Sequence, residues 1–359
     1  MAIESKTSVI NLESLSSVNV RNSKDAGYVR SLIRSGTTLT KSVNRDDKSI
    51  HETARVSIAR RKARQRALGM SLPVTVDSLQ ELEESTGYGT VKEKTTDIFE
   101  DIKNTGTIEK NSIRSLSAGI NNRLEVVNSS KIFSLVNALA PVDEYLQRHS
   151  INVSMLNGLF GQWLGLSKVD IYNLVLIGLL HDCGKALVPS KILQAARKLT
   201  VAEYEVMKMH PVHSYDLLSG FPESIRRAAR NHHEYVNGAG YPDCLADFDI
   251  SLFARITSIS DVYDAIISQR SYKKALSPFH ALDIIEKNRS STLDNVLVNI
   301  FFLNILPELQ DKPVVMSDGK VGIFREFDYN NPKYPKIEID GKVIKSNEDW
   351  FCVSMYIDD

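Results

Sequence analysis

Six of the eight histidines fall between His149 and His233, a window of about a quarter of the chain in which even spacing would leave about two. They are spread over separate segments: His149 in QRHSINV, His181-Asp182 in LLHDCGK, His210 in KMHPVHS, and His232-His233-Glu234 in NHHEYVNGAGYP, with Asp261 following in SISDVYDAI. Groups so far apart along the chain can act together only if the fold makes several segments converge. Imidazoles and carboxylates in this mixture, without a series of thiolates, suit a hard-to-borderline divalent ion such as iron, manganese or zinc. The apolar run Leu174–Leu180 leads into His181-Asp182 and is expected to be buried, and a buried His-Asp pair needs partners or a metal to offset its desolvation. His213, three residues after His210, can be read as a ligand or as a neighbour of one.

From about Thr90 to Leu306 the chain reads as long amphipathic helices, with Ile132, Leu135, Val136 and Leu139 at the three- and four-residue steps of one face. After Pro307 short β-branched runs flank Asp318-Gly319 and Asp340-Gly341, which predicts hairpins. The fold class expected is therefore mainly α, divided into a small mixed N-terminal regulatory or adaptor domain over 1–105, a helical domain over 106–306 and a short β appendix over 307–359. Within the first, the basic run Arg60-Arg61-Lys62-Ala63-Arg64-Gln65-Arg66 reads as a solvated helix face or as a contact for an acidic partner protein, a membrane surface or nucleic acid. Lys plus Arg equals Asp plus Glu at 44 each, so no overall field draws the molecule to nucleic acid or to an anionic membrane. Three scattered cysteines argue against a disulfide framework and fit a reducing cytoplasm, and neither a membrane span nor a secretion signal is visible.

The order His, His-Asp, His, His-His, Asp resembles the HD phosphohydrolase superfamily, and HDCGK and HHEYVNGAGYP are similar to the signatures of its HD-GYP branch. The resemblance runs over residues 110–305 and includes HSINV, the His210-Pro211 pair and DVYDAIISQRSYKK. It implies an all-helical HD-GYP domain acting as a phosphodiesterase on cyclic di-GMP, a bacterial second messenger, and yielding linear pGpG, GMP or both. Carried over residue by residue, it implies one metal held by His149, His181, Asp182 and Asp261. By the same resemblance a second would be held by His210, His232 and His233, with Asp182 bridging; iron and manganese are the expected ions. Two cations so placed depress the pKa of a shared water, giving a hydroxide for in-line attack. Lys185 is then expected one helical turn from His181, with its ammonium at the phosphoryl group, and Tyr241, Arg270 and Lys273 are expected to contact the cyclic dinucleotide.

The match has departures. Tyr145 stands one turn before the first histidine, where family members that assemble a third metal carry Glu. Asn237-Gly238 stands where Asp-Gly is frequent, with Asn237 expected to accept a positive φ, and His213-Ser214 replaces an apolar-Gly pair. Two rival readings remain: a cyclic-dinucleotide sensor that has kept the fold without turnover, and an HD hydrolase for another substrate, either a general nucleotidase or a phosphodiesterase for a mixed purine cyclic dinucleotide. A homodimer through helices near 90–139 and a protein partner for the N-terminal domain complete the expectations.

Overall fold

The computed structural model describes residues 88–126, 132, 136, 145–268, 277–289 and 291–355. The expected N-terminal domain up to residue 87, its basic run, Leu135, Leu139, Arg270 and Lys273 lie outside them. The chain is mainly α, with a small antiparallel sheet at its C-terminal end. Ten helices are labelled α1 (Tyr88–Thr105), α2 (Lys110–Val126), α3 (Tyr145–Trp163), α4 (Lys168–Leu180), α5 (Val201–Met207), α6 (His210–Leu217), α7 (Glu223–Asn231), α8 (Leu252–Ile267), α9 (Pro278–Lys287) and α10 (Asn295–Leu309).

Helix α4 is the axis of the helical part. Ser167 caps its start by accepting from the Asp170 N–H, and all seven residues from Leu174 to Leu180 are buried, so the apolar run has no polar face because helices cover it on every side. Against it lies α3, close enough that a Cβ on Gly178 would sit 2.4 Å from the Ser154 Cα. Asn157 of α3 ties the layer together, its Nδ2 donating to the Leu174 carbonyl at 3.1 Å and to Thr257 Oγ1 of α8 at 2.9 Å. Helix α1 buries Val91, Thr95, Ile98, Phe99 and Ile102 along one face, and this face shares a continuous core with α2, α3 and α4. Thus the helix that ends at Thr105 packs with the helices that follow it. Ile132 and Val136 are helical and buried, as the periodicity implies.

Helix α10 continues through Pro307 to Leu309, beyond the point where the sequence suggests a change of structure. Proline removes only its own N–H from the ladder, and burial of Ile305 and Leu309 on either side holds the last turn in place. The sheet then runs β4-β3-β2-β1-β5, from strands β1 (Pro313–Met316), β2 (Val321–Glu326), β3 (Lys336–Ile339), β4 (Lys342–Lys345) and β5 (Cys352–Met355). Both Asp-Gly pairs are hairpin turns. Between Ile339 and Lys342, Asp340 and Gly341 take φ of 49° and 79°, the left-handed pair that a two-residue turn requires. The sheet is seated on the helices through Phe324 against Phe279 and Phe327 against Phe302. Among the described residues no helix is long and apolar enough to cross a membrane.

Candidate metal centre

The ends of α4 and α7, the start of α6 and the interiors of α3 and α8 meet at one buried point. His181 closes α4; the next residue, Asp182, has φ −102° and ψ 7°, outside helical geometry, and a 3-10 turn over Cys183–Leu187 follows. The expectation of one continuous helix from His181 to Lys185 is therefore corrected. The break lets adjacent residues aim at a common point, which a regular helix with about 100° between neighbours forbids. Ser214 holds the break, its Oγ–H donating to the His181 carbonyl at 2.8 Å while its oxygen accepts from the Gly184 N–H at 2.9 Å.

Three imidazoles are anchored by carbonyls three residues back, in their own helix for His181 and His232 and at the end of the preceding helix α5 for His210. The Nδ1–H of His181 donates to the Gly178 carbonyl at 2.8 Å, that of His210 to Met207 at 2.8 Å, and that of His232 to Ala229 at 2.7 Å. Each anchor leaves Nε2 as a bare lone pair facing inward. The Nε2 atoms of His181, His210 and His232 and the Oδ1 of Asp182 are buried without a hydrogen-bond partner. Asp182 divides its two oxygens between two groups: Oδ1 lies 3.0 Å from His210 Nε2 and 3.7 Å from His232 Nε2, while Oδ2 lies 3.4 Å from His181 Nε2 and 3.5 Å from His149 Nε2. A carboxylate oxygen facing a lone pair at such distances is repulsive unless a cation stands between them, so the donor set fits metal ions. Two groups satisfy ligand spacing: Asp182 with His210, His232 and His233, and His149 with His181 and Asp182. Asp261 joins the second, its Oδ1 3.1 Å from His149 Nε2, and its Oδ2 lies 3.9 Å from His233 Nδ1. All seven expected ligands are thus brought together, whereas His213 belongs to neither group.

The electrostatics fit the same picture. Burial lowers the pKa of His210 and His232, and pushes His233 down to about 3, so all three are neutral and able to ligate. His149 is the exception: burial opposes its charge, yet Asp182, Asp261 and Asp264 outweigh burial and raise it to about 10. Burial also opposes ionisation of Asp182, but Lys185 and the surrounding imidazoles hold it well below the usual carboxylate range. The Lys185 ammonium is paired directly with Asp182 Oδ2.

At the mouth, Tyr241 stacks on His233 with ring centroids 4.8 Å apart, and the Lys208 ammonium stands 5.6 Å from the Tyr204 ring and 5.9 Å from that of Tyr241. The loop carrying Tyr241 is clamped by Glu234, whose carboxylate accepts from the Asp243 and Leu245 N–H groups at 2.6 and 3.0 Å. At the Asn237-Gly238 pair the positive φ falls on Gly238, at 77°, and not on Asn237, which instead accepts from the Ala239 N–H through its side chain. Sequence reasoning missed Glu234, Ser214, Asn152 and Asp264. The last was within reach as the second acid of SISDVYDAI, three residues after Asp261 on the same helical face.

A family model described as an HD domain matches residues 134–297. Over 205 residues the chain is 30% identical to the cyclic di-GMP phosphodiesterase PdeB of Borreliella burgdorferi, covering 56% of this chain and 54% of that protein. It is 39% identical over 146 residues to the cyclic di-GMP phosphodiesterase response regulator RpfG of Xanthomonas campestris, covering 40% of this chain and 39% of that one. The chain thus spans about half or less of the length of these relatives. A solved structure of an HDG"Y"P protein from Bdellovibrio bacteriovorus shares the fold, with a TM-score of 0.50 and 17% identity over 72% of this chain and 81% of that chain.

Proposed function

The chain belongs to the HD domain family through residues 134–297 and carries the segments of its HD-GYP branch, and on that premise we propose that it is a metal-dependent phosphodiesterase that hydrolyses cyclic di-GMP to linear pGpG, GMP or both. The observation that carries the reading is the division of the two Asp182 oxygens between His149 and His181 on one side and His210 and His232 on the other. That division suits two ions with one bridging carboxylate; the donors suit a hard-to-borderline divalent ion, and iron or manganese is what the family resemblance implies. His149, His181, Asp182 and Asp261 would hold the first; His210, His232, His233 and Asp182 the second. Divalent cations held there supply an activated water and neutralise the charge of a phosphodiester.

The remaining groups belong to this chain's own part of the reaction. Lys185, beside Asp182, offers an ammonium to the oxygens on which negative charge grows. Burial raises the Tyr241 phenol, so it stays protonated and can donate to the substrate while its ring borders a base. Arg270 and Lys273 are proposed to contact phosphate or guanine.

The test is to load purified protein with Mn2+, incubate it with cyclic di-GMP and separate the products. Linear pGpG or GMP, lost in Asp182→Ala, is the expected result. Binding without product would favour the sensor reading, and faster turnover of a mixed guanine-adenine cyclic dinucleotide would reassign the substrate.

A further inference from the structure

The histidines of the centre are not anchored alike. His181, His210 and His232 are fixed by carbonyls three residues back in their own chain segments, so their orientation comes with the helix end. His149 lies inside α3 and has a remote anchor. Its Nδ1–H donates to Asp264 Oδ2 of α8 at 2.7 Å, an oxygen that also accepts from the Ser268 hydroxyl at 3.1 Å. The other oxygen, Oδ1, accepts from Asn152 Nδ2 at 2.7 Å. An amide that gives its Nδ2 to a carboxylate must present its Oδ1 on the opposite side, and there the Tyr88 hydroxyl of α1 donates to it at 3.4 Å. Tyr88, Asn152, Asp264 and His149 are all buried, so bulk water is not at hand to replace a lost member. Tyr88 stands outside the span matched by the HD domain, on the helix through which residues 1–87 connect to the rest of the chain.

We propose that Tyr88 is a positioning residue for the His149 side of the metal centre, acting through Asn152 and Asp264, so that the seating of α1 sets the affinity of one ion and not of the other. Loss of the phenol hydroxyl removes a donor from Asn152 Oδ1; the amide and the Asp264 carboxylate then relax, and the His149 ring loses the hydrogen bond that aims Nε2 at Asp182 and Asp261. The His210 side contains no member of this relay and is left alone. The inference rests on the two-ion reading above but needs no substrate.

The experiment titrates chelator-treated full chain with Mn2+ by equilibrium dialysis and elemental analysis, comparing wild type, Tyr88→Phe and Asp264→Asn, and follows the melting of each metal-free protein. Phenylalanine keeps the ring that packs in the core. Tyr88→Phe should weaken one of the two ions about two- to tenfold, the worth of one neutral hydrogen bond, and leave the other within error. Asp264→Asn should weaken the same ion by about 10–100-fold, as loss of a direct partner of a ligand does. Isotherms of Tyr88→Phe that superimpose on wild type, equal weakening of both ions, or weakening accompanied by a matching fall in metal-free melting temperature would each overturn the proposal. Wild type that binds fewer than two ions would sink this inference and the two-ion reading together. Normal two-ion behaviour without cleavage of cyclic di-GMP would sink only the phosphodiesterase reading.

Discussion

At Asp182 a single side chain serves both halves of the centre, because each of its oxygens faces a different pair of imidazoles. Replacing it with Asn should therefore cost both ions, whereas His149→Ala should cost one; metal content after dialysis against Mn2+ measures this, and equal losses in the two variants would contradict it. His149 carries a second prediction. With its pKa raised to about 10 it is protonated in the metal-free protein at pH 8, while His233, held down to about 3, is not. Loading the first ion must expel the His149 proton. Calorimetric titration in buffers of different ionisation enthalpy should find about one more proton released by wild type than by His149→Ala. The candidate ligands are legible in the sequence because six histidines crowd into a quarter of the chain and because HDCGK and HHEYVNGAGYP are similar to the HD-GYP signatures. Their anchors are not, since a carbonyl of Gly178 or Ala229 carries no side-chain signature, and Asp264 is one acid among many until α8 turns it toward α3.

At the scale of elements, the centre depends on how closely α3 and α4 pass. A Cβ on Gly178 would meet Ser154 N at 2.6 Å and Ser154 Cα at 2.4 Å, backbone atoms with no rotamer to yield. Gly178→Ala should force the two helices apart, lowering stability by about 1–3 kcal/mol, and should weaken the ion shared by His149 and His181, which these helices carry. Denaturant midpoints and Mn2+ affinity together check it; a variant with wild-type values for both would show that the contact relaxes freely. Long helices with one apolar face, and turns marked by Asp-Gly, are legible because periodicity and positive φ leave marks in residue type, as at Ile132 and Val136 and at Asp340-Gly341. Two features leave none. The break after His181 is made by Ser214, distant in sequence, and the passage of α10 through Pro307 is decided by burial of Leu309, against the local preference of proline.

For the whole molecule, gathering so many titratable groups in one core makes stability depend on pH and metal together. His210, His232 and His233 have depressed pKa values in the fold, so as pH falls below about 6.5 the unfolded chain takes up protons that the native state refuses, and stability drops toward pH 3. Asp182 and Asp261, held well below the usual range, add to the loss only below about pH 4. His149 has the opposite sign. Its raised pKa gives stability that is complete below about 6.5 and disappears as pH climbs through about 10. Metal-free protein should therefore melt highest near pH 6.5 and lower on both sides. Saturating Mn2+ should raise the melting temperature, since an ion bound only by the native state stabilises it. It should also flatten the alkaline decline, because the ion takes over the position that the His149 proton holds, and steepen the acid one, because protons then compete with metal for the neutral imidazoles. Melting curves from pH 5 to 9.5 in chelator and in Mn2+ decide the matter: an alkaline decline of the same depth in both would mean that the His149 charge and the cation are not alternative occupants of one place.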